Sequence, residues 1–294
     1  MSSDHAQGPG TAPLPAALRA ALENNVRAAL AEDVGGGDRT AALLPADARV
    51  LARLIVREAA ILCGQPWFEA VLRHVDPGLQ VQWQHPEGAP LEPGAEACRV
   101  TGPARSLLTA ERTAMNFLQM LSGVATATRR FVDAIAQVPR TRARILDTRK
   151  TLPGLRQAQK YAVRIGGGDN HRMGLYDAIL IKENHIAAAG GIPAVMRLAL
   201  AQGVPVQIEV ESVAQMREAL DCGARSILLD NFGIERLREA VVANGGRAVL
   251  EASGGVNLAN VREIAATGVD RISVGSLTKD VRATDYSLRV IELH

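Results

Sequence analysis

The sequence predicts an α/β protein in two parts, a small mixed domain followed by a parallel sheet whose strands alternate with helices. Two observations carry this. From Arg144 onward, short apolar runs recur at intervals of a few tens of residues with helical segments between them, the signature of parallel βαβ units. Before that point, strand-like segments are punctuated by Gly and Pro. The length of 294 residues with 47% apolar side chains agrees with about two domains.

The elements follow in order. Met1–Pro15 is rich in Ser, Gly, Pro and Ala and has no basic segment ahead of an apolar core, so it reads as a disordered leader and not as a signal peptide. Ala16–Asp33 places Leu18, Leu22, Val26 and Leu30 on one helical face, and Gly35, Gly36 and Gly37 end it. Val50–Val56, Ala60–Cys63, Leu79–Trp83 and Ala95–Val100 read as strands, and Pro66–His74 as a helix with Trp67, Phe68, Val71 and Leu72 apolar. Thr109–Ala136 is one long helical stretch, and the domain junction is placed within it, at 120/121. The runs that follow are Ile145–Leu146, Ala178–Ile181, Val206–Val210, Ile227–Leu229, Ala248–Leu250 and Ile272–Val274. Six units without a dinucleotide fingerprint favour a barrel, although the spacing alone also fits an open sheet.

Charge and cysteine usage narrow the function. A net charge of +2, from 33 basic and 31 acidic side chains, argues against a nucleic-acid or membrane binder. Any anionic ligand must then be held by a local cluster. Cys63, Cys98 and Cys222 are scattered and odd in number, which speaks against disulfides and zinc and for a reducing cytoplasm.

The informative residues are those that end each run. Ile145–Leu146 leads to Asp147, Thr148, Arg149 and Lys150; Ala178–Ile181 leads to Lys182, Glu183, Asn184 and His185. Val206–Ile208 ends at Glu209, Ile227–Leu229 at Asp230 and Asn231, Ala248–Leu250 at Glu251, and Ile272–Val274 at Gly275 and Ser276. In an α/β barrel these positions open onto one rim, where active sites are built. A single charged residue there marks an ordinary loop; six in register point to a site. Arg149, Lys150, His171, Arg172 and Lys182 supply cations for carboxylates or phosphates. Glu209 and Asp230 suit Mg²⁺ bridging pyrophosphate oxygens, or a developing cation, or ion pairs with neighbouring Lys and Arg. Ser253, Gly254 and Gly255, and Val274, Gly275 and Ser276, follow the last two strands, where bare backbone N–H groups hold phosphate. Gly166–Gly168 ahead of His171 and Arg172 permits unusual turns. Lys182 as a Schiff-base lysine is a weaker alternative, and His171 with His185 lacks a third ligand for zinc.

Several segments resemble the quinolinate phosphoribosyltransferase family. They are Asp147–Arg156 (DTRKTLPGLR), Gly166–Leu175 (GGGDNHRMGL), Ile181–Ile186 (IKENHI), Leu228–Phe232 (LLDNF), Glu251–Gly255 (EASGG), Ala110–Leu118 (AERTAMNFL) and Leu121–Thr126 (LSGVAT). The resemblance runs in the family's order from about residue 16. It implies an N-terminal α/β sandwich domain (16–120), an incomplete TIM-like α/β barrel (121–276) and a tail (277–294) returning to the first domain. It implies that a phosphoribosyl group passes from phosphoribosyl pyrophosphate to quinolinate with decarboxylation, giving nicotinate mononucleotide. Lys150, Lys182, Glu209 and Asp230 match catalytic positions. Thr148, Arg149, His171 and Arg172 match the dicarboxylate and phosphate pocket, and Ser253, Gly254, Gly255, Val274, Gly275 and Ser276 the phosphate loops. Arg112 matches an arginine supplied by a neighbouring subunit, which implies a homodimer or a dimer-based oligomer with shared sites. Glu209 and Asp230 would accompany Mg²⁺. A nicotinate-specific relative, a Schiff-base aldolase and a non-catalytic anion-binding barrel are the rival readings.

Overall fold

The computed structural model describes residues 14–293, so the expected leader lies outside the described residues up to residue 13. In chain order the elements are α1 (Ala16–Asp33), β1 (Arg49–Val56), β2 (Ala60–Ile61), α2 (Gln65–Val75), β3 (Gln80–Trp83), β4 (Pro90–Leu91), β5 (Glu96–Pro103) and α3 (Ala104–Ala136). Then come β6 (Arg144–Leu146), α4 (Arg156–Ile165), β7 (Ile179–Ile181), α5 (Glu183–Ala189), α6 (Ile192–Leu200), β8 (Val206–Val210) and α7 (Val213–Asp221). The chain continues through β9 (Ser226–Asp230), α8 (Ile234–Asn244), β10 (Val249–Ser253), α9 (Val261–Ala266), β11 (Arg271–Ser273), α10 (Ser276–Lys279) and β12 (Tyr286–Leu293).

These elements form two compact units. The first runs to Ala127 and also takes Leu152–Gly166 and the chain from Asp280 on. Its sheet has the order β12-β1-β5-β3, with antiparallel neighbours throughout. Strand β1 alternates, burying Val50, Ala52, Leu54 and Val56. They share one core with Val26 of α1, Trp67 and Phe68 of α2, Leu107 and Leu118 of α3, and Ala162 of α4. A glycine is required at position 123, inside α3, because a Cβ there would sit 2.1 Å from the carbonyl oxygen of Arg282. The segment leading into β12 crosses the helix at that point, and the Thr284 N–H donates to the Gln119 carbonyl (3.0 Å).

The second unit comprises Thr128–Thr151 and Gly167–Lys279. Its six strands are parallel, in the order β6-β11-β10-β9-β8-β7. The first strand lies beside the last, as a closing ring requires and a doubly wound sheet does not. The ladder stops between β6 and β7, which makes the barrel incomplete; on that side Leu146 bridges to Asp169.

Three boundaries differ from the sequence expectation. Helix α3 starts at Ala104, directly after Pro103, and not at Thr109. The unit boundary falls at Ala127/Thr128, inside an unbroken helix that gives the sequence no punctuation there. Leu152–Gly166, expected in the barrel, groups with the first unit because α4 buries Ala158, Ala162 and Val163 in that unit's core.

Candidate active site

Strand alternation builds the site. The register pairs Glu209 with Leu228, Leu228 with Glu251, and Asp230 with Ser253. With a period of two, Gln207 and Glu209, Leu228 and Asp230, and Glu251 and Ser253 therefore face one side of the sheet. Except for Gln207, all of them line one cavity of about 430 Å³. The turns after β6 and ahead of β7 add Thr148, Arg149, Lys150, His171 and Arg172, and the end of β7 adds Leu180 and Lys182.

One side of this cavity is cationic. Burial, and next the adjacent positive charge of Arg149, hold the Arg172 guanidinium below its usual pKa. Arg172 Nη1 donates to the Ala178 carbonyl (3.0 Å), but its buried Nε has no hydrogen-bond partner among the described residues. Two guanidiniums crowded in this way favour an incoming anion over their own company. Burial opposes the charge on Asp177, but the N–H groups of Met173 and Gly174 and the charge of Arg172 outweigh it and hold that carboxyl low. Those N–H bonds, 2.7 and 2.9 Å, shape the turn that carries Arg172. Below it, the fully buried Asp147 accepts from the His171 N–H (2.8 Å) and from Asn170 Nδ2 (2.6 Å). Lys150 is set by its N–H bond to Thr148 Oγ1 (3.0 Å) and by Thr278 Oγ1, which donates to its carbonyl (2.8 Å).

The other side carries the carboxylates. Lys182 Nζ donates to both oxygens of Glu209, at 2.9 and 3.1 Å. The Glu209 side chain is only 11% exposed and that of Lys182 is 44%, so the pair sits at the mouth with its acid inward. Asp230 accepts from Asn231 Nδ2 (2.8 Å). Asn231 has a left-handed backbone (φ +54°), and its N–H donates to the Ser253 carbonyl (2.9 Å). This brings it so close to the next loop that a Cβ on Gly254 would lie 2.1 Å from Asn231 Oδ1. Gly254 (φ +95°) is thus required on both counts. Asn257 and Asn260 fasten this loop by donating to the Gly255 carbonyl.

The sequence-predicted residues Thr148, Arg149, Lys150, His171, Arg172, Lys182, Glu209, Asp230, Ser253, Gly254 and Gly255 thus meet at one cavity. Val274, Gly275 and Ser276 do not line it: Val274 is buried, and Ser276 opens α10. Gly275 leaves room for Lys150, whose Cδ would lie 3.4 Å from a Cβ there. Arg112 is exposed on α3, in the first unit. His185 accepts from the Lys182 N–H at the start of α5 (3.0 Å), a capping role. Sequence reasoning missed Ser273, Gln207 and the role of Glu251. Glu251 is fully buried and accepts from Ser273 Oγ and from Gln207 Nε2 (2.9 Å), while Gln207 Oε1 lies 2.8 Å from His171 Nε2. Their signal was a polar residue at alternate positions within otherwise apolar strands.

Among the described residues no group of three or more His, Cys, Asp or Glu could hold a metal by itself. Two carboxylates at one cavity, one of them engaged by Lys182, fit instead a Mg²⁺ that arrives with phosphate ligands of its own.

Fold and site together define an incomplete α/β barrel with a charged cavity for an anionic ligand at its strand ends. Residues 38–122 match the family described as quinolinate phosphoribosyl transferase, N-terminal domain, and residues 124–289 match its C-terminal domain. The chain belongs to the quinolinate phosphoribosyltransferase family. It is 43% identical over 277 residues to the carboxylating nicotinate-nucleotide pyrophosphorylase of Mycobacterium leprae (strain TN), covering 91% of this chain and 96% of that one. The chloroplastic carboxylating enzyme of Oryza sativa subsp. japonica is 38% identical, with 92% and 77% covered. The solved nicotinate-nucleotide pyrophosphorylase of Francisella tularensis superposes with a TM-score of 0.90 at 42% identity, covering 97% of this chain and all of that one. The Pyrococcus furiosus enzyme, at 18% identity and a TM-score of 0.69, shares the fold.

Proposed function

We propose that the cavity joins quinolinate to the ribose of phosphoribosyl pyrophosphate, releasing pyrophosphate and carbon dioxide and giving nicotinate mononucleotide for de novo NAD synthesis. The observation that carries this is the convergence of Arg149, Lys150, His171 and Arg172 with Glu209 and Asp230 on one cavity. A ring with two adjacent carboxylates matches the cationic wall of that cavity. Its nitrogen then attacks C1 of the ribose as the bond to pyrophosphate breaks, and the ribose passes through an oxocarbenium-like state. Glu209 and Asp230 are placed to stabilise that charge, and Lys182 keeps Glu209 oriented toward it. Lys150 and the Ser253–Gly255 loop hold phosphate. Mg²⁺, when bound, offsets charge on the leaving pyrophosphate. The N-ribosylated ring is cationic and stabilises the electron pair left on C2 when the 2-carboxylate departs as carbon dioxide, and C2 then takes a proton from water. No side-chain nucleophile is required, and the rate comes from positioning and electrostatics.

The same reading assigns Arg112 to the site of a second copy of the chain. Its support is that the family resemblance gives Arg112 a substrate role from a neighbouring subunit, and that the Arg112 side chain is exposed. All three cysteines are free, which supports a reducing compartment such as the cytoplasm. No helix among the described residues is long and apolar enough to cross a membrane.

The test is an assay with phosphoribosyl pyrophosphate, Mg²⁺ and either quinolinate or nicotinate. Nicotinate mononucleotide with stoichiometric carbon dioxide from quinolinate is expected. Turnover of nicotinate alone would overturn the assignment.

A further inference from the structure

The buried polar residues behind the cationic wall form a directional chain. The Gln207 amide nitrogen donates to Glu251 Oε2 at 2.9 Å. The amide oxygen of Gln207 then faces His171 Nε2 at 2.8 Å, so that ring nitrogen must carry a proton and donate it. The remaining oxygen of Glu251 accepts from Ser273 Oγ and lies 3.6 Å from the same His171 nitrogen. Glu251 is fully buried and Gln207 nearly so, which holds the amide against rotation. The backbone of His171 is fixed independently, by Asp147.

We propose that Glu251 is a positioning residue for the pyridine dicarboxylate. Acting through Gln207, it fixes the tautomer and ring plane of His171 at the cationic wall. His171 Nε2 is committed to the relay, so the ring stands at the wall in one orientation. A ring free to flip would present either nitrogen and would lose part of its contact with a planar acid. Ser273 supplies Glu251 with a second donor but does not reach His171 through Gln207, so it satisfies the carboxylate without belonging to the relay. The proposal rests on the reading that this wall receives quinolinate.

The test combines kinetics with a probe that needs no turnover. Michaelis constants for quinolinate and for phosphoribosyl pyrophosphate are measured for Glu251→Met, Gln207→Leu, Ser273→Ala and Glu251→Gln. Glu251→Met and Gln207→Leu should each raise the quinolinate KM about tenfold, the loss expected for one buried hydrogen bond to a charged group, and the phosphoribosyl pyrophosphate KM by less than about twofold. Glu251→Gln can still offer Gln207 a carbonyl oxygen and should recover most of the loss. Ser273→Ala should raise the quinolinate KM far less than Gln207→Leu. Nitrogen-15 NMR of the imidazoles, with the His171 signal assigned by its loss in His171→Asn, should show the Nε2–H tautomer in the wild type and a mixture in Glu251→Met or Gln207→Leu. If Glu251→Met fails to fold, Gln207→Leu carries both readouts. Equal rises in both Michaelis constants, or a folded Gln207→Leu protein with an unchanged His171 tautomer, would overturn the proposal. A wild type that does not turn over quinolinate would defeat the functional reading, and the tautomer would still judge the relay.

Discussion

The two units each bury charge, and they finish the task differently. In the first unit Glu87 is buried, and its oxygens accept from the Gly64 N–H (2.7 Å), the Gln65 N–H (3.1 Å) and Tyr161 Oη (2.9 Å). Burial still pushes its carboxyl up, while these donors offset part of the shift. The carboxyl caps α2 and ties α4 to it, so its hydrogen bonds are spent inside the fold. In the second unit Arg172 is crowded by Arg149 and keeps a buried N–H without a protein acceptor among the described residues. A carboxyl ringed by donors is satisfied within the fold, whereas a cation set beside its like favours an incoming anion.

Substitutions sharpen this contrast. The largest effect is expected for Arg172→Ala, which should lower kcat/KM for quinolinate by about two to three powers of ten through loss of a charge-assisted contact, with a small change in melting temperature. An unchanged KM for quinolinate would refute the cationic wall. Glu209→Ala should reduce kcat about a hundredfold with a smaller change in KM, read by single-turnover kinetics. Gly254→Ala forces a Cβ against Asn231 and strains a left-handed backbone, so it should cost about 1–3 kcal/mol and lower kcat/KM about tenfold.

Glu87→Gln tests the other half of the comparison. Its amide would set an N–H against one of the donors that Glu87 now satisfies, costing about 1–3 kcal/mol of stability near neutral pH with no change in either KM. The pH dependence has a definite sign. A glutamate with a raised folded-state pKa contributes stability that is complete below the ordinary value of 4.5 and is lost as pH rises through the folded value. Denaturant midpoints measured across that range should lose this slope in Glu87→Gln.

Much of the second unit was legible in the sequence. Runs such as Ile227–Leu229 could be buried only as strands between helices, and the polar residues ending them had one rim to share. The interior of the barrel was harder to read. Glu251 and Ser273 lie within or beside apolar runs, and a lone polar residue there does not say whether it faces the barrel axis or the surrounding helices. The register with Leu228 and Asp230 settles that, and register is a long-range property. Val274, Gly275 and Ser276 fall outside the cavity lining because β11 ends at Ser273, and the chain then turns into α10. Leu152–Gly166 groups with the first unit for a related reason: the periodicity of α4 shows an apolar face but not which core receives it.

The pairing of Val50 with Leu293 has a consequence for the life of the chain. Strand β12 follows the entire second unit in sequence, yet it covers one flank of β1, and its Tyr286 hydroxyl lies 3.1 Å from Ser122 Oγ on α3. During synthesis the barrel can therefore emerge and fold while the earlier sheet waits with an open edge. Final assembly of the amino-terminal part is deferred until the carboxyl-terminal ribbon has left the ribosome, and in that interval a nascent chain is most exposed to strand exchange with its neighbours.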